Sequence, residues 1–284
     1  MMGVDEFILR NEGLIRIGFF LGVFTLMAWW EIIAPRRPLM VSKLRRWLSN
    51  IGIVALNTVL LRLIFPAAAI GATLFAAERG WGVLNYASFP GAIELLVSIL
   101  VLDLAIYLQH VMFHAVPAFW RLHRVHHADL DFDVTTGARF HPVEILLSMC
   151  IKFGVIFALG PPVLGVLIFE VLLNATSMFN HSNVNMPETV DAKLRWLVVT
   201  PDMHRVHHSV KRHETNSNFG FNLPWWDRLF GTYRAQPDGG HTAMTIGIDT
   251  FRDTGVCVDL PRMLWIPFRR DTGMYPIGRR PDSP

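Results

Sequence analysis

Charge and cysteine are both scarce in this chain. Only 17% of its 284 residues are Asp, Glu, Lys or Arg, against about 25% in an ordinary soluble domain. A water-soluble globular protein is therefore disfavoured. Two cysteines, Cys150 and Cys257, cannot supply a disulfide framework, a cysteine-based zinc knuckle or an iron–sulfur cluster. There is no Gly-rich phosphate loop, no haem or flavin motif, and no basic run interleaved with aromatics that would suit nucleic acid. Any metal must be held by histidine or carboxylate.

What the chain does have is apolar length: 52% hydrophobic residues and a mean hydropathy of +0.35. Leu14 to Ala34 is long enough to cross a hydrocarbon core of about 30 Å and ends in Trp29 and Trp30, which suit the interface. It reads as a retained anchor, because no small-residue cleavage site follows it. Arg36, Arg37, Lys43, Arg45 and Arg46 come next and predict a cytoplasmic loop, with the N-terminus on the opposite side. Ile51 to Ala77 crosses back. It carries Arg62 near Pro66, read either as a buried ion-pair partner, which is favoured, or as the mark of a kinked, partly interfacial segment.

Gly91 to Gln109 is a third span returning to the cytoplasm. Ile145 to Phe179 is apolar but interrupted by Gly160-Pro161-Pro162, so a hairpin or a pair of tilted helices fits better than one helix. The expected fold is all-α: a polytopic membrane helical bundle of about four spans, the last a candidate re-entrant hairpin, with a cytosolic histidine-rich helical cap. Residues 1–90 form the N-terminal spans, 91–235 a histidine-rich domain and 236–284 a polar tail. The aromatic stretch Asn218 to Tyr233 suits the headgroup level. The tail, with Arg269, Arg270, Arg279 and Arg280, reads as cytosolic and peripheral.

The other abundance is histidine. Between Gln109 and Asp129 stand His110, His114, His123, His126 and His127, and the pentapeptide His123-Arg124-Val125-His126-His127 returns as His204-Arg205-Val206-His207-His208. On helices these spacings aim each group of imidazoles along one face. With His181, nine of the twelve histidines fall into three boxes or the Asn180-His181 element. Nine is too many for one ion and suits two. Zinc is compatible with the spacing and would imply hydrolysis, whereas attack on an unactivated C–H bond beside lipid needs a redox metal and dioxygen; iron is the expected ion. Asp103 lies two turns before His110. It could pair with Arg62 or orient a liganding imidazole.

These boxes, with Arg139-Phe140-His141-Pro142, Asn180-His181-Ser182-Asn183 and Trp226-Asp227-Arg228-Leu229-Phe230-Gly231-Thr232, resemble the fatty acid hydroxylase and sterol desaturase superfamily over about residues 90 to 235. The resemblance implies a membrane-bound non-haem di-iron oxidoreductase that hydroxylates or desaturates a lipid with O2. Electrons would come from a ferredoxin, a cytochrome b5-like donor or a reductase, and the boxes would face the cytoplasm. It implies His110, His114, His123, His126, His127, His204, His207 and His208 as ligands, His181 as the ninth, and Asp103, His141, Asn183 and Asp227 as supporting groups. Some relatives carry a further histidine where this chain has Asn183. His213 and His241 receive no role.

Two other classes stay open. A zinc-dependent membrane hydrolase needs a general base, yet Glu144, Glu170, Glu188 and Glu214 lie outside the boxes. A non-catalytic metal-binding or transport protein would place polar groups at mid-membrane, not at span ends. The sequence leaves open which lipid is used and whether it is hydroxylated or desaturated.

Overall fold

The computed structural model describes residues 4–86, 89–270, 273 and 275–277; Arg279 and Arg280 lie outside the described residues. Four helices, α1 (Val4–Ile33), α2 (Lys43–Ile64), α3 (Ala68–Glu78) and α4 (Val83–Tyr86), precede the long α5 (Gly91–Ala115) and the short α6 (Pro117–His127). Then come α7 (Pro142–Leu159) and α8 (Val163–Asn180), followed by short helices α9 (Glu188–Leu194), α10 (Pro201–His207), α11 (Arg212–Thr215), α12 (Trp225–Leu229), α13 (Gly240–Ala243), α14 (Thr254–Val258) and α15 (Leu260–Trp265). No strand occurs among the described residues.

Five helical stretches are long and apolar enough to cross a membrane: Glu6–Ile33, Lys43–Tyr86, Gly91–Ala115, Pro142–Leu159 and Val163–Asn180. The chain is an integral membrane protein. Leu14, Phe19, Leu21 and Leu26 of α1 are left exposed by the protein itself, as lipid-facing side chains should be. The apolar run after Lys43 is broken because Phe65, preceding Pro66, leaves the helical region at φ −125 and ψ 67.

The expected hairpin consists of two complete helices of 18 residues each, about 27 Å long at 1.5 Å per residue. Gly160 makes the turn at φ 68, a left-handed conformation that favours glycine. The turn packs so closely on the loop before α4 that a Cβ on Gly82 would lie 2.1 Å from the Gly160 nitrogen. Hence α7 and α8 reach the end of the bundle where α3 hands over to α5. The crossings between the two pentapeptides come as a pair and return the chain to one side.

The basic loop is not merely a surface charge. Arg46 is fully buried and pairs with Asp129 at 2.7 Å and Asp133 at 2.5 Å, and Arg36 pairs with Asp202 at 3.1 Å. The expectation for Arg62 is corrected: it is exposed, and among the described residues it has no ion pair.

The tail also differs from expectation. Residues after Gln236 do not lie apart, because Ile248, Phe251, Cys257, Val258, Ile266 and Tyr275 share a buried cluster with Trp120 and Val125 of α6. Arg139 donates to the Cys257 carbonyl at 2.6 Å, and Tyr275 stacks on Trp120 at 5.4 Å. The apolar residues that sew the tail down come in short runs, such as Val256 to Val258 and Met263 to Phe268, too brief to read as a span.

Candidate metal centre

Four helices bring the histidines together. His110 and His114 occupy the last two turns of α5. Pro117 starts α6 at a position where its missing N–H costs nothing, and this helix presents His123, His126 and His127. Thr200 caps α10 by accepting from the Met203 amide at 3.3 Å, with Pro201 next, so that His204 and His207 point inward and His208 ends the helix. His181 ends α8.

The nine imidazoles fall into two groups, His110, His114, His123, His127 and His207 in one, and His126, His181, His204 and His208 in the other. Within each group the ligand-type atoms all lie within 4.8 Å of one another. All nine residues are buried.

Hydrogen bonds fix which nitrogen carries the proton, since a carbonyl or carboxylate can only accept. Nδ1 of His110 donates to the Phe219 carbonyl at 2.8 Å, that of His181 to Ser177 at 2.8 Å, and that of His207 to Ser217 at 2.7 Å. His123 Nδ1 donates to Glu144 Oε1 at 2.7 Å, and His114 Nδ1 to Asn216 Oδ1 at 3.0 Å. The Nε2 atoms of these rings therefore carry free lone pairs. Yet Nε2 of His110 lies 3.1 Å from Nε2 of His123, and Nε2 of His181 lies 3.1 Å from Nε2 of His126 and of His204. Nε2 of His207 and His208 is buried with no partner at all.

Lone pairs converging in this way repel unless a cation lies between them. Two nitrogens bound at right angles to one ion, with bonds of about 2.1 Å, would stand about 3.0 Å apart. The donor set thus fits two metal ions. Burial pushes His123 and His181 down to about 3, and burial with neighbouring imidazoles holds His126, His127, His204, His207 and His208 well below the ordinary value. The rings are thereby kept neutral and able to ligate.

The other expected residues stand away from the imidazoles. Asp103 accepts from the Trp226 indole at 2.8 Å and the Leu223 amide at 3.3 Å, so it neither pairs with Arg62 nor touches a histidine. His141 caps α7 through the Val143 amide. Asn183 exchanges hydrogen bonds with the Arg37 backbone at 3.2 and 2.8 Å. Asp227 accepts from the amides of Phe219 and Gly220 at 2.7 and 2.9 Å, which aims the Phe219 carbonyl at His110. Of the aromatic stretch, Trp225, Leu229 and Phe230 face outward while Phe219 and Phe221 are buried against histidine rings.

Sequence reading missed the groups that hold the rings. Glu144 was set aside as outside the boxes, although it follows the Arg139 to Pro142 element by only two residues. Asn216 is locked in orientation because its amide donates to the Tyr275 carbonyl at 2.8 Å, leaving Oδ1 for His114. A cavity of about 780 Å³ opens beneath the site, and of the nine imidazoles His110 and His123 line it. His213, with Glu214 and Asp238, forms a third cluster of ligand-type side chains, but Lys211 and Arg234 already occupy Asp238.

An all-helical membrane bundle enclosing two buried imidazole groups is a restricted class of protein. Residues 95–232 match the family model described as fatty acid hydroxylase, and this part of the chain resembles the fatty acid hydroxylase superfamily. An ornithine lipid hydroxylase of Rhizobium tropici is 29% identical over 76% of this chain and 65% of its own length. Alkylglycerol monooxygenases of Xenopus tropicalis and Homo sapiens are each 28% identical over 61% of this chain, covering 37% and 38% of theirs. The chain thus spans less than two thirds of these relatives. No solved structure gives a significant match.

Proposed function

We propose that the protein is a membrane-bound di-iron oxidoreductase that uses O2 and external electrons to hydroxylate or desaturate a lipid C–H bond. The observation that carries this reading is the division of nine neutral imidazoles into two groups whose lone pairs converge. His110, His114, His123, His127 and His207 would hold one ion, and His126, His181, His204 and His208 the other. Iron suits imidazole donors and, once bound, would supply the redox chemistry that zinc lacks. The relatives' names, a lipid hydroxylase and an alkylglycerol monooxygenase, support a lipid substrate.

The chain's own residues have separate tasks. Glu144 and the carbonyls of Phe219, Ser177 and Ser217 fix ring orientation and protonation, leaving Nε2 free. Phe140, stacked on His126 at 4.4 Å, and Phe113 and Ile106 in the cavity wall exclude water from the reacting end. Substrate would enter the cavity from the bilayer and present a C–H bond to the side of His110 and His123. The site would face the cytoplasm, where a ferredoxin, a cytochrome b5-like protein or a reductase can deliver electrons. Asp227 supports the centre through the Phe219 backbone.

Purified protein should contain one iron per histidine group and consume O2 only with a reductant and lipid. His126→Ala and His207→Ala should each abolish turnover. Full activity of a zinc-loaded sample without oxygen would replace this reading with a hydrolase.

A further inference from the structure

The end of the cavity remote from the histidines carries charge for which the reaction above has no use. It is formed by Arg16 of α1, Arg62 of α2, Lys152 of α7 and Glu170 of α8, with Glu12 beside Arg16. Glu170 is shared, one oxygen 2.6 Å from Arg16 and the other 2.5 Å from Lys152, while Arg16 lies 3.8 Å from Glu12. These contacts account for α1, α7 and α8 being tied together. They leave Arg62 over, a third cation against two carboxylates, with no partner among the described residues.

All five groups belong to helices that cross the membrane, where a guanidinium is costly unless it faces a cavity and meets an anion. Their depth follows from helix geometry. Lys152 lies eight residues beyond Glu144 on α7, roughly 12 Å at 1.5 Å per residue. On α2, Asn57 donates to the Phe140 carbonyl at the level of the histidines, and Arg62 is five residues further on, roughly 8 Å.

We propose that this end of the cavity is a subsite for an anionic group of the lipid substrate, a carboxylate or a phosphate, with Arg62 as its principal partner and Arg16 beside it. The inference rests on reading the cavity as the substrate chamber. A guanidinium matches both anions through paired N–H donors. The carbon offered to His110 and His123 then lies roughly 10 Å from the anion, by the same helix rise. It is therefore not the atom adjoining the charge.

The test uses iron-loaded full chain in nanodiscs of neutral lipid, with palmitate, hexadecyl phosphate and methyl palmitate as probes and native mass spectrometry as the readout. Both anions should bind about tenfold tighter than the ester or better, the stronger of the two identifying the group. Arg62→Gln should erase the preference and Arg62→Lys keep most of it, with thermal stability unchanged in each. Equal binding of the three probes, or a preference that survives Arg62→Gln, overturns the subsite. Turnover is scored separately: oxidation indifferent to headgroup charge removes the subsite and leaves the oxygenase, whereas charge-selective binding with no O2-dependent product removes the oxygenase and leaves the subsite.

Discussion

Several imidazoles here do two things, and the two nitrogens of each divide them. In His110, His114, His123, His181 and His207 the Nδ1 is spent on a protein acceptor, which leaves Nε2 as a lone pair turned inward. Glu144 supplies the one carboxyl group among these acceptors, and a cation at His123 Nε2 would favour its ionised form, which makes the stronger bond and the more basic ligand. Glu144→Gln should keep the fold but weaken metal retention in the five-histidine group about 10- to 100-fold, read as iron remaining after dialysis against a graded chelator. Unchanged retention would mean that the carboxylate's charge is irrelevant to the site.

Burial of neutral imidazoles also sets a pH dependence. His123 and His181 are held at about 3 and His241 at about 4, each mainly by burial, against an ordinary 6.5. Between these values the unfolded chain takes up protons that the folded chain refuses, so stability rises with pH across the window. Metal-free protein should be fully stable above pH 6.5 and lose stability progressively as the pH falls toward 3. Thermal unfolding in detergent at several pH values checks this, and a melting temperature that climbs on acidification contradicts it.

At the scale of elements, the boxes work because helix ends meet. The turn at Gly137 approaches α8 so closely that a Cβ there would stand 2.5 Å from the Ser177 carbonyl, the acceptor of His181 Nδ1. Gly137→Ala should cost about 1–3 kcal/mol through overpacking and displace His181, lowering iron occupancy of the four-histidine group before that of the other. Iron content and the spectrum of the loaded protein would report it. The box spacing was legible in sequence because histidines that share one face of a helix repeat at three or four residues. This meeting of Gly137 and Ser177 was not, since a close backbone approach leaves only an unremarkable glycine.

On the scale of the whole molecule, the segment after Gln236 is part of the site's support. Tyr275 is buried, stacks on Trp120 and donates to the Val210 carbonyl at 2.8 Å, and its own carbonyl holds Asn216 against His114. Tyr275→Ala should destabilise the protein by about 3–5 kcal/mol, as removal of a buried aromatic does, and loosen His114. Tyr275→Phe should cost less, about 1–3 kcal/mol, because the hydroxyl donates to Val210 and accepts from the Asp249 amide at 2.9 Å. Chemical denaturation and iron content of the two variants separate these effects; equal, negligible losses would return the tail to the periphery.

The basic loop teaches a related lesson. Arg46 reads in sequence as one of five topogenic cations, but it is buried between Asp129 and Asp133 and links α2 to the turn that follows α6. Asp129 is held well below the carboxylate range because Arg46 and Arg139 outweigh the effect of burial. A positive-inside count cannot distinguish a cation left in water from one carried into the core. The difference lies in partners some 80 residues away in the chain.

By itself the sequence determined the membrane class, the helical periods, the nine histidines and the family they resemble, because hydropathy and histidine spacing are local properties that survive in a linear string. Only the tertiary structure decided how the nine divide into five and four, that five of the rings spend Nδ1 on a protein acceptor, that Glu144 and Asn216 stand behind His123 and His114, and that Arg62 faces a cavity with no ion pair among the described residues. Those outcomes depend on contacts between distant segments, where two atoms meet only after helices have packed.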